Sequence, residues 1–205
     1  MLLTSILCLV FVSSVLANFG SSGQQGILNA HNNLRSSIAL GNYVVKGARK
    51  ATATNMLQMK WDSGLEQSAQ NYANRCPTGH SGTNGVGENL YWYWSSNVGD
   101  LNQYGAMASA AWAKEFQDKG WPTNYFDNNL FNTGIGHATQ MAWANSGKIG
   151  CGVSQCQDGS WQKVTVVCQY KPPGNYLGQY IYNSGKTCSQ CPSGTQCVQN
   201  SGLCA

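Results

Sequence analysis

The chain has 205 residues and a formal net charge of +4 at pH 7, and only 10% of its residues are charged, against about a quarter in an ordinary soluble domain. Polarity comes instead from Gly, Asn, Gln, Ser and Thr. The few Lys and Arg form no basic cluster, which argues against nucleic acid as a partner. The length suits one sizeable core with a small appendage.

Residues 1–17, MLLTSILCLVFVSSVLA, form an apolar stretch ending in small residues, the pattern of a signal peptide cleaved after Ala17. The usual basic residue near the start is missing, so an uncleaved anchor is the competing expectation; no second long apolar run supports a transmembrane protein. Cys8 would leave with the leader. Eight cysteines then remain, Cys76, Cys151, Cys156, Cys168, Cys188, Cys191, Cys197 and Cys204, an even number bound for an oxidising compartment, and four disulfides are expected. The alternative for the last four, which include the CxxC of Cys188 and Cys191, is a zinc site. No Asn-x-Ser/Thr acceptor for N-glycosylation occurs.

Between Gln24 and Leu40, Ile27, His31, Leu34 and Ile38 recur at helical spacing, and Gly41 supplies a left-handed stop. A second helix is expected from Ser63, where Ser63 and Glu66 make a capping-box pattern; its buried face would carry Leu65, Ala69, Tyr72, Ala73 and Cys76. The run Tyr91, Trp92, Tyr93, Trp94 reads either as a strand buried on both faces or as an exposed aromatic patch for lipid or sterol. A third helix spans about Asp100 to Asp118, with Tyr104, Ala108, Ala111, Trp112 and Phe116 on one face and Glu115 as a misfit among them. A short helix follows near His137 to Ala144.

Two strands come next, Lys148–Cys156 and Trp161–Tyr170, with Asp158 and Gly159 as the expected hairpin turn. That turn sets Cys151 opposite Val166, puts Cys168 one diagonal step from Cys151 on the same face, and points Cys156 to the other face. Cys156 then needs a partner elsewhere, and Cys76 is the cysteine left outside the tail. After Pro172, Pro173 and Gly174 the periodicities fade. Residues 188–205 cannot build an apolar core and read as a small appended knot held by crosslinks.

The chain has three histidines and three glutamates, so candidates for chemistry are few. His31 sits inside a helix and reads as a hydrogen-bonded core histidine. His80 lies in a Gly-rich loop, Glu88 in GVGENLYWYW, and His137 in GHATQMAW. Gathered in one cleft, His80, Glu88, Glu115 and His137 could bind a divalent cation or share protons, because imidazole nitrogen is a good zinc ligand and carboxylates raise histidine basicity. There is no HExxH helix and no GxSxG elbow, GHSG being the nearest approach, and GVGENL is a weak phosphate loop. An even cysteine count leaves no thiol nucleophile spare.

GHATQMAW, VVCQYKPPGNY at 166–176, HNNLR at 31–35 and GENL at 87–90 together resemble the four ordered motifs of the CAP superfamily, which includes pathogenesis-related proteins, antigen 5 and cysteine-rich secretory proteins. The resemblance covers about Gln24 to Tyr176. IGCGVSQC and the short cysteine tail are most similar to nematode venom-allergen-like, or activation-associated secreted, proteins. It implies an α/β class fold, a three-layer α/β/α sandwich at 18–177 behind the 1–17 leader, and a hinge-like tail at 178–205. It places the family's cleft residues on His80, Glu88, Glu115 and His137, with His80 and His137 as the metal pair and zinc as the cofactor. It also implies the pairs Cys76–Cys156, Cys151–Cys168, Cys188–Cys197 and Cys191–Cys204. Val86 and Lys171 stand where relatives carry one further disulfide, and Ala138 stands where an aromatic residue is usual, which would widen the cleft beside His137. The function implied is an extracellular, secreted binding protein for sterol or fatty acid and for host extracellular proteins, with Tyr91–Trp94 as the lipid surface and a homodimer within its range. The alternatives are a metal-dependent hydrolase and a pure protein ligand for host receptors.

Overall fold

The computed structural model describes residues 18–205; the expected leader and Cys8 lie outside the described residues. In chain order the elements are α1 (Ser21–Ala39), β1 (Val44–Val45), β2 (Ala48–Arg49), β3 (Lys60–Trp61), α2 (Ser63–Ala73), β4 (Gly87–Ser95), α3 (Gln103–Lys119) and β5 (Tyr125–Phe126). They continue with α4 (Asn128–Asn132), α5 (Gly136–Ala142), β6 (Lys148–Asp158), β7 (Trp161–Lys171), β8 (Gln179–Tyr180), β9 (Cys197–Val198) and β10 (Leu203–Cys204). The central sheet has the order β3-β6-β7-β4, with β3 parallel to β6 and the other pairs antiparallel. One face carries α2 and the other α1, α3 and α5, the α/β/α sandwich.

The helices follow their apolar stripes. Ile27, His31, Leu34 and Ile38 are the buried side of α1, which stops where Gly41 takes φ +69°, a conformation that costs glycine little. For α2 the cap is Asp62 rather than Ser63: its carboxylate accepts from Leu65 N–H at 3.0 Å. Ser63 is already inside the helix, and a charged oxygen one residue earlier suits the positive helix end better. Glu66 does not close a capping box; it accepts from Trp61 Nε1 at 2.7 Å and from Gln24 Nε2 at 3.0 Å.

The spacing of IGCGV has a packing reason. A Cβ on Gly150 would lie 2.0 Å from the Glu66 nitrogen, and one on Gly152 2.3 Å from Gln70 Cα, so α2 rests on bare backbone of β6. Alongside, Gln70 donates to Val153 O at 2.7 Å and accepts from Val153 N–H at 2.9 Å, satisfying β6 beyond the end of the two-residue β3.

The β6–β7 register differs from expectation by one residue on each strand. Asp158 pairs with Trp161, leaving Gly159 and Ser160 as the loop, and Cys151 stands directly opposite Cys168 rather than diagonal to it. The cause is the turn, in which Gly159 takes φ +60° at the first loop position, where a two-residue hairpin of this hand wants glycine. The four disulfides are Cys76–Cys156, Cys151–Cys168, Cys188–Cys197 and Cys191–Cys204, which removes the zinc alternative for the tail cysteines, since no thiolate is left there.

The aromatic run on β4 divides between the two expectations: its first half is packed on both faces, and its second half is exposed. Tyr91 packs against the α1 and α3 side of the core, while Trp92 packs toward α2 and donates to Pro77 O at 2.9 Å. Only Tyr93 and Trp94 are exposed. Alternation along an edge strand sends successive side chains to opposite faces, so four consecutive aromatics cannot form a single platform.

The tail is more than an appended knot. Ile181, Tyr182 and Leu203 belong to the main core, Gln58 N–H donates to Cys204 O at 2.8 Å, and Cys204 N–H donates to Met56 O at 2.8 Å. Thr187 Oγ1 caps Ala39 O at the end of α1. The segment lacks apolar residues for a core of its own and lends its few to the main one.

Candidate functional site

The ends of β4, α3 and α5 and the loop between α2 and β4 converge on a cleft of about 320 Å³, lined by His80, Glu88, Asn89, Glu115, Lys119, Phe131, Gly134, Gly136, His137 and Asn175. All four residues singled out in the sequence line it. They form two pairs. His80 Nδ1 lies 3.0 Å from Glu88 Oε1, and His137 Nδ1 lies 2.6 Å from Glu115 Oε1. Among the described residues no three of these four offer ligand atoms within 4.8 Å of one another, so the pairs are separate units.

Each glutamate is fixed by more than its histidine. Glu115 reaches from α3 to the start of α5, where its Oε2 accepts the backbone N–H groups of His137 and Ala138, both at 3.1 Å. It caps α5 from a neighbouring helix, which explains an acid on the apolar side of α3. Glu88 Oε1 accepts Ser81 N–H at 2.8 Å and its Oε2 accepts Gln169 Nε2 at 3.0 Å. Burial alone would raise the Glu88 carboxyl, but the hydrogen bonds from His80, Ser81 and Gln169 outweigh it and bring the pKa down to about 2. The bond to Glu88 in turn raises the His80 imidazole, against a smaller opposing effect of burial.

With Nδ1–H held by a carboxylate in both pairs, the remaining nitrogen of each ring is Nε2, and among the described residues no hydrogen bond engages it. His80 is the more open, with 62% of its side chain exposed against 36% for His137. The His137 ring stacks on Trp112 at 6.0 Å between centroids. Glu115 and Trp112 thus fix its position and plane.

A buried polar chain supports the cleft floor. Asn89 Nδ2 donates to His137 O and to the Tyr170 hydroxyl, each at 3.1 Å; the hydroxyl donates to His31 Nε2 at 2.9 Å, and His31 Nδ1–H donates to Ile27 O at 2.8 Å. His31 is therefore a core histidine, as its helical position suggests. Burial, with a smaller push from Arg35 and against the Ile27 carbonyl, lowers its pKa to about 4, so the ring is neutral.

Sequence reasoning missed Asn89, Asn175 and Phe131. Asn175 takes φ +56°, accepts from Thr139 Oγ1 at 2.8 Å and donates to Gly136 O at 2.7 Å. The turn sequence Pro-Pro-Gly-Asn was its only signal. Phe131 stands on α4, a helix the periodicity did not reveal. The expectation that Ala138 widens the cleft fails: Ala138 is fully buried in the core and does not line the cavity, because α5 turns that position inward.

Known proteins share this arrangement of elements. The chain is 39% identical over 186 residues to Ancylostoma secreted protein of Ancylostoma caninum, covering 87% of this chain and 43% of that protein. It is 34% identical over 167 residues to salivary antigen-5 of Dipetalogaster maximus, covering 79% and 66%. The chain therefore spans less than two thirds of the length of these relatives. Among solved structures it superposes on NaASP2 with Zn2+ at a TM-score of 0.83 and 36% identity, covering 91% of this chain and 97% of that one. BmVAL-1 gives the same TM-score and identity, with 91% and 95% coverage. Residues 28–170, which run from α1 to the end of β7, match the cysteine-rich secretory protein family, and with this sandwich the chain belongs to that family, the CAP proteins, alongside secreted relatives of the venom-allergen and Ancylostoma secreted protein type.

Proposed function

We propose that the protein works outside the cell by binding rather than turnover: its cleft takes a divalent cation on His80 and His137, its rim takes sterol or another lipid, and it engages host components. The observation that carries this reading is the paired arrangement in the cleft, where a carboxylate holds Nδ1 of each histidine and leaves Nε2 without a hydrogen bond. Carboxylate–histidine pairs of this kind orient a ring for a metal and raise its basicity. Two imidazoles suit zinc, which would supply Lewis-acid or bridging chemistry there, and a crystal structure of the relative NaASP2 is described with Zn2+. The protein's own contribution is positioning: Glu88 and Glu115 set the two rings, and Trp112 holds one of them in plane.

The lipid part of the reading moves away from Tyr91–Trp94. Phe131, which lines the cleft, is exposed, and so are Tyr125, Tyr176, Leu177 and Tyr180 on the chain segments flanking the lining residues Phe131 and Asn175, each at least 41% exposed. Tyr125 and Tyr180 stand on paired strands with ring centroids 5.3 Å apart. Such patches on soluble proteins mark partner or ligand surfaces.

Calorimetric zinc titration of chelator-stripped protein is the test of the metal site. One-to-one binding lost in the His80→Ala, His137→Ala double variant is expected; binding that persists in the variant puts the metal elsewhere. For the rim, purified protein is expected to retain labelled sterol, and Phe131→Ser with Tyr180→Ser to lose it. Protein that retains neither sterol nor fatty acid sinks the lipid reading. Activity abolished by chelator and by Glu88→Gln would favour the hydrolase alternative instead, and host binding unchanged in the double histidine variant would favour a pure protein ligand.

A further inference from the structure

The chain has seven tryptophans, and two of them, Trp94 at 49% and Trp161 at 51%, are exposed. Both stand at one corner of the molecule. Trp94 on β4 pairs with Lys163 on β7, and Trp161 pairs with Asp158 at the end of the β6–β7 hairpin. Paired residues, and residues two apart on one strand, share a face. Trp94, Lys163, Trp161 and Asp158 therefore all lie on the face where Trp92 packs toward α2. Among the described residues the helix layer on that face ends where Ser154 Oγ donates to Ala73 O at 2.6 Å, Cys76 bonds to Cys156, and Lys163 Nζ donates to Cys76 O at 3.3 Å. The hairpin runs on past it.

The Trp94 ring is held in place. Its Nε1–H donates to Asp158 Oδ2 at 2.9 Å, and because β7 lies between β4 and β6, the indole has to cross β7 to make that bond. Its N–H edge is engaged while half of its surface stays in water, which leaves a ring face open. Trp161 is its diagonal neighbour, with Cβ atoms about 7–8 Å apart in such a pair. Among the described residues Asp158 has no cationic partner, and Trp94 is the one side chain that donates to its carboxylate. Lys163, the one cation of the four, gives its ammonium to Cys76 O instead.

We infer that this corner binds a soluble quaternary ammonium ion of the choline type, its methylated nitrogen against the two indoles and beside the Asp158 carboxylate. The face of an indole is the negative side of its quadrupole and attracts a cation, tryptophan doing so best among the aromatic side chains. The uncompensated carboxylate adds a full charge of the same sign. The methyl groups decide between cations: a lysine ammonium has N–H groups that water satisfies better than a ring face does, whereas a trimethylammonium has none. Phosphate and sulfate groups are repelled by Asp158, and an unpaired carboxylate beside the rings opposes their insertion into hydrocarbon. Trp94 stands six residues along β4 from Glu88, about 20 Å in a strand, so this site and the cleft can fail independently.

Titration of the disulfide-bonded chain with choline, followed by NMR on the indole N–H signals, tests it. Saturable shifts confined to two of the indoles are expected. The affinity should weaken about tenfold or more in Asp158→Asn, whose amide oxygen keeps the bond to Trp94 while the charge is gone, and likewise in Trp161→Ala. Dimethylbutanol, the uncharged isostere of choline with carbon in place of nitrogen, is expected not to bind. Asp158→Asn keeps the shape of the side chain and Trp161 is exposed, so both variants should fold, and a thermal melt separates lost binding from lost structure. Equal binding of dimethylbutanol would make the corner a plain apolar patch and overturn the site. So would an affinity for choline unchanged in Asp158→Asn, shifts produced by neutral chitotriose and not by choline, or a response to phosphatidylcholine vesicles with none to free choline.

Discussion

Arg35 shows at the scale of one residue how much a short motif can hold. Its side chain is fully buried, with no acidic partner among the described residues, and its guanidinium donates to the carbonyls of Leu57, Met141, Trp143, Ala144 and Ser146 at 2.8–3.0 Å. Five fixed donors meet five acceptors, a geometry only arginine can supply. Arg35→Lys is expected to leave at least two buried carbonyls unpaired and to cost about 3 kcal/mol or more in urea unfolding. His31 governs a pH dependence. Its folded pKa of about 4 lies below the ordinary 6.5, so between those values the unfolded chain takes up a proton that the folded protein refuses. Stability is fully present above pH 6.5 and falls progressively toward pH 4, by about 3 kcal/mol. Glu88 adds a further loss as pH drops from its ordinary 4.5 toward about 2. The exposed His80 pair runs the other way, with its stabilisation lost as pH rises through the raised pKa, and contributes little. Urea midpoints measured against pH should show the upper slope flattened in His31→Gln and the lower one retained. The sequence showed both motif residues on one helix. It could not show that Arg35 would be buried without an anion, because its partners are backbone oxygens that no side-chain pattern marks.

Among the elements, α2 is the most exacting. It lies on Gly150 and Gly152 so closely that any side chain meets its backbone. Gly150→Ala is therefore expected to lift the helix and cost about 3 kcal/mol, read as a lowered melting temperature, with the loop that carries His80 loosened as a consequence. A helix that merely lay near the sheet would tolerate the methyl. Helices α1 and α3 were legible because their buried stripes recur at helical spacing. The start of α2 and the end of α3 were not, since Asp62 and Gly120 set them through cap geometry and positive-φ backbone. The candidate site was legible as residue types and, through the ordered motifs, as one cleft; its division into two histidine–glutamate pairs was not. Glu115 stood out as an acid on an apolar face, yet its partner, the start of α5, depends on how two helices meet. The aromatic run misled for a related reason: strand alternation was visible, but which face each ring would find depended on α2 and α3 covering opposite sides of β4.

At the scale of the whole molecule, the division into a domain and a tail matters less than the sequence suggested. Leu203 is 1% exposed and sits in the same core as Ile38 and Met56. Leu203→Ala is expected to cost about 2–4 kcal/mol in a single unfolding transition; an independent knot would lose its own structure and leave the main transition unmoved. The overall sandwich and the disulfide pairs were legible chiefly because four motifs occur in order. The docking of the tail was not, since it rests on single apolar residues and on backbone pairing with the irregular segment Met56–Gln58 before β3. The reach of Arg35 carries a consequence for biosynthesis. Four of its five acceptors lie 106–111 residues further along the chain, so α1 leaves the ribosome long before the groups that neutralise its buried cation have been made. Until residue 146 emerges, the helix has an unmatched charge on its inner face and no core to enter. The nascent protein is thus obliged to wait, and closes around that arginine only once the GHATQMAW segment and the residues up to Ser146 have arrived.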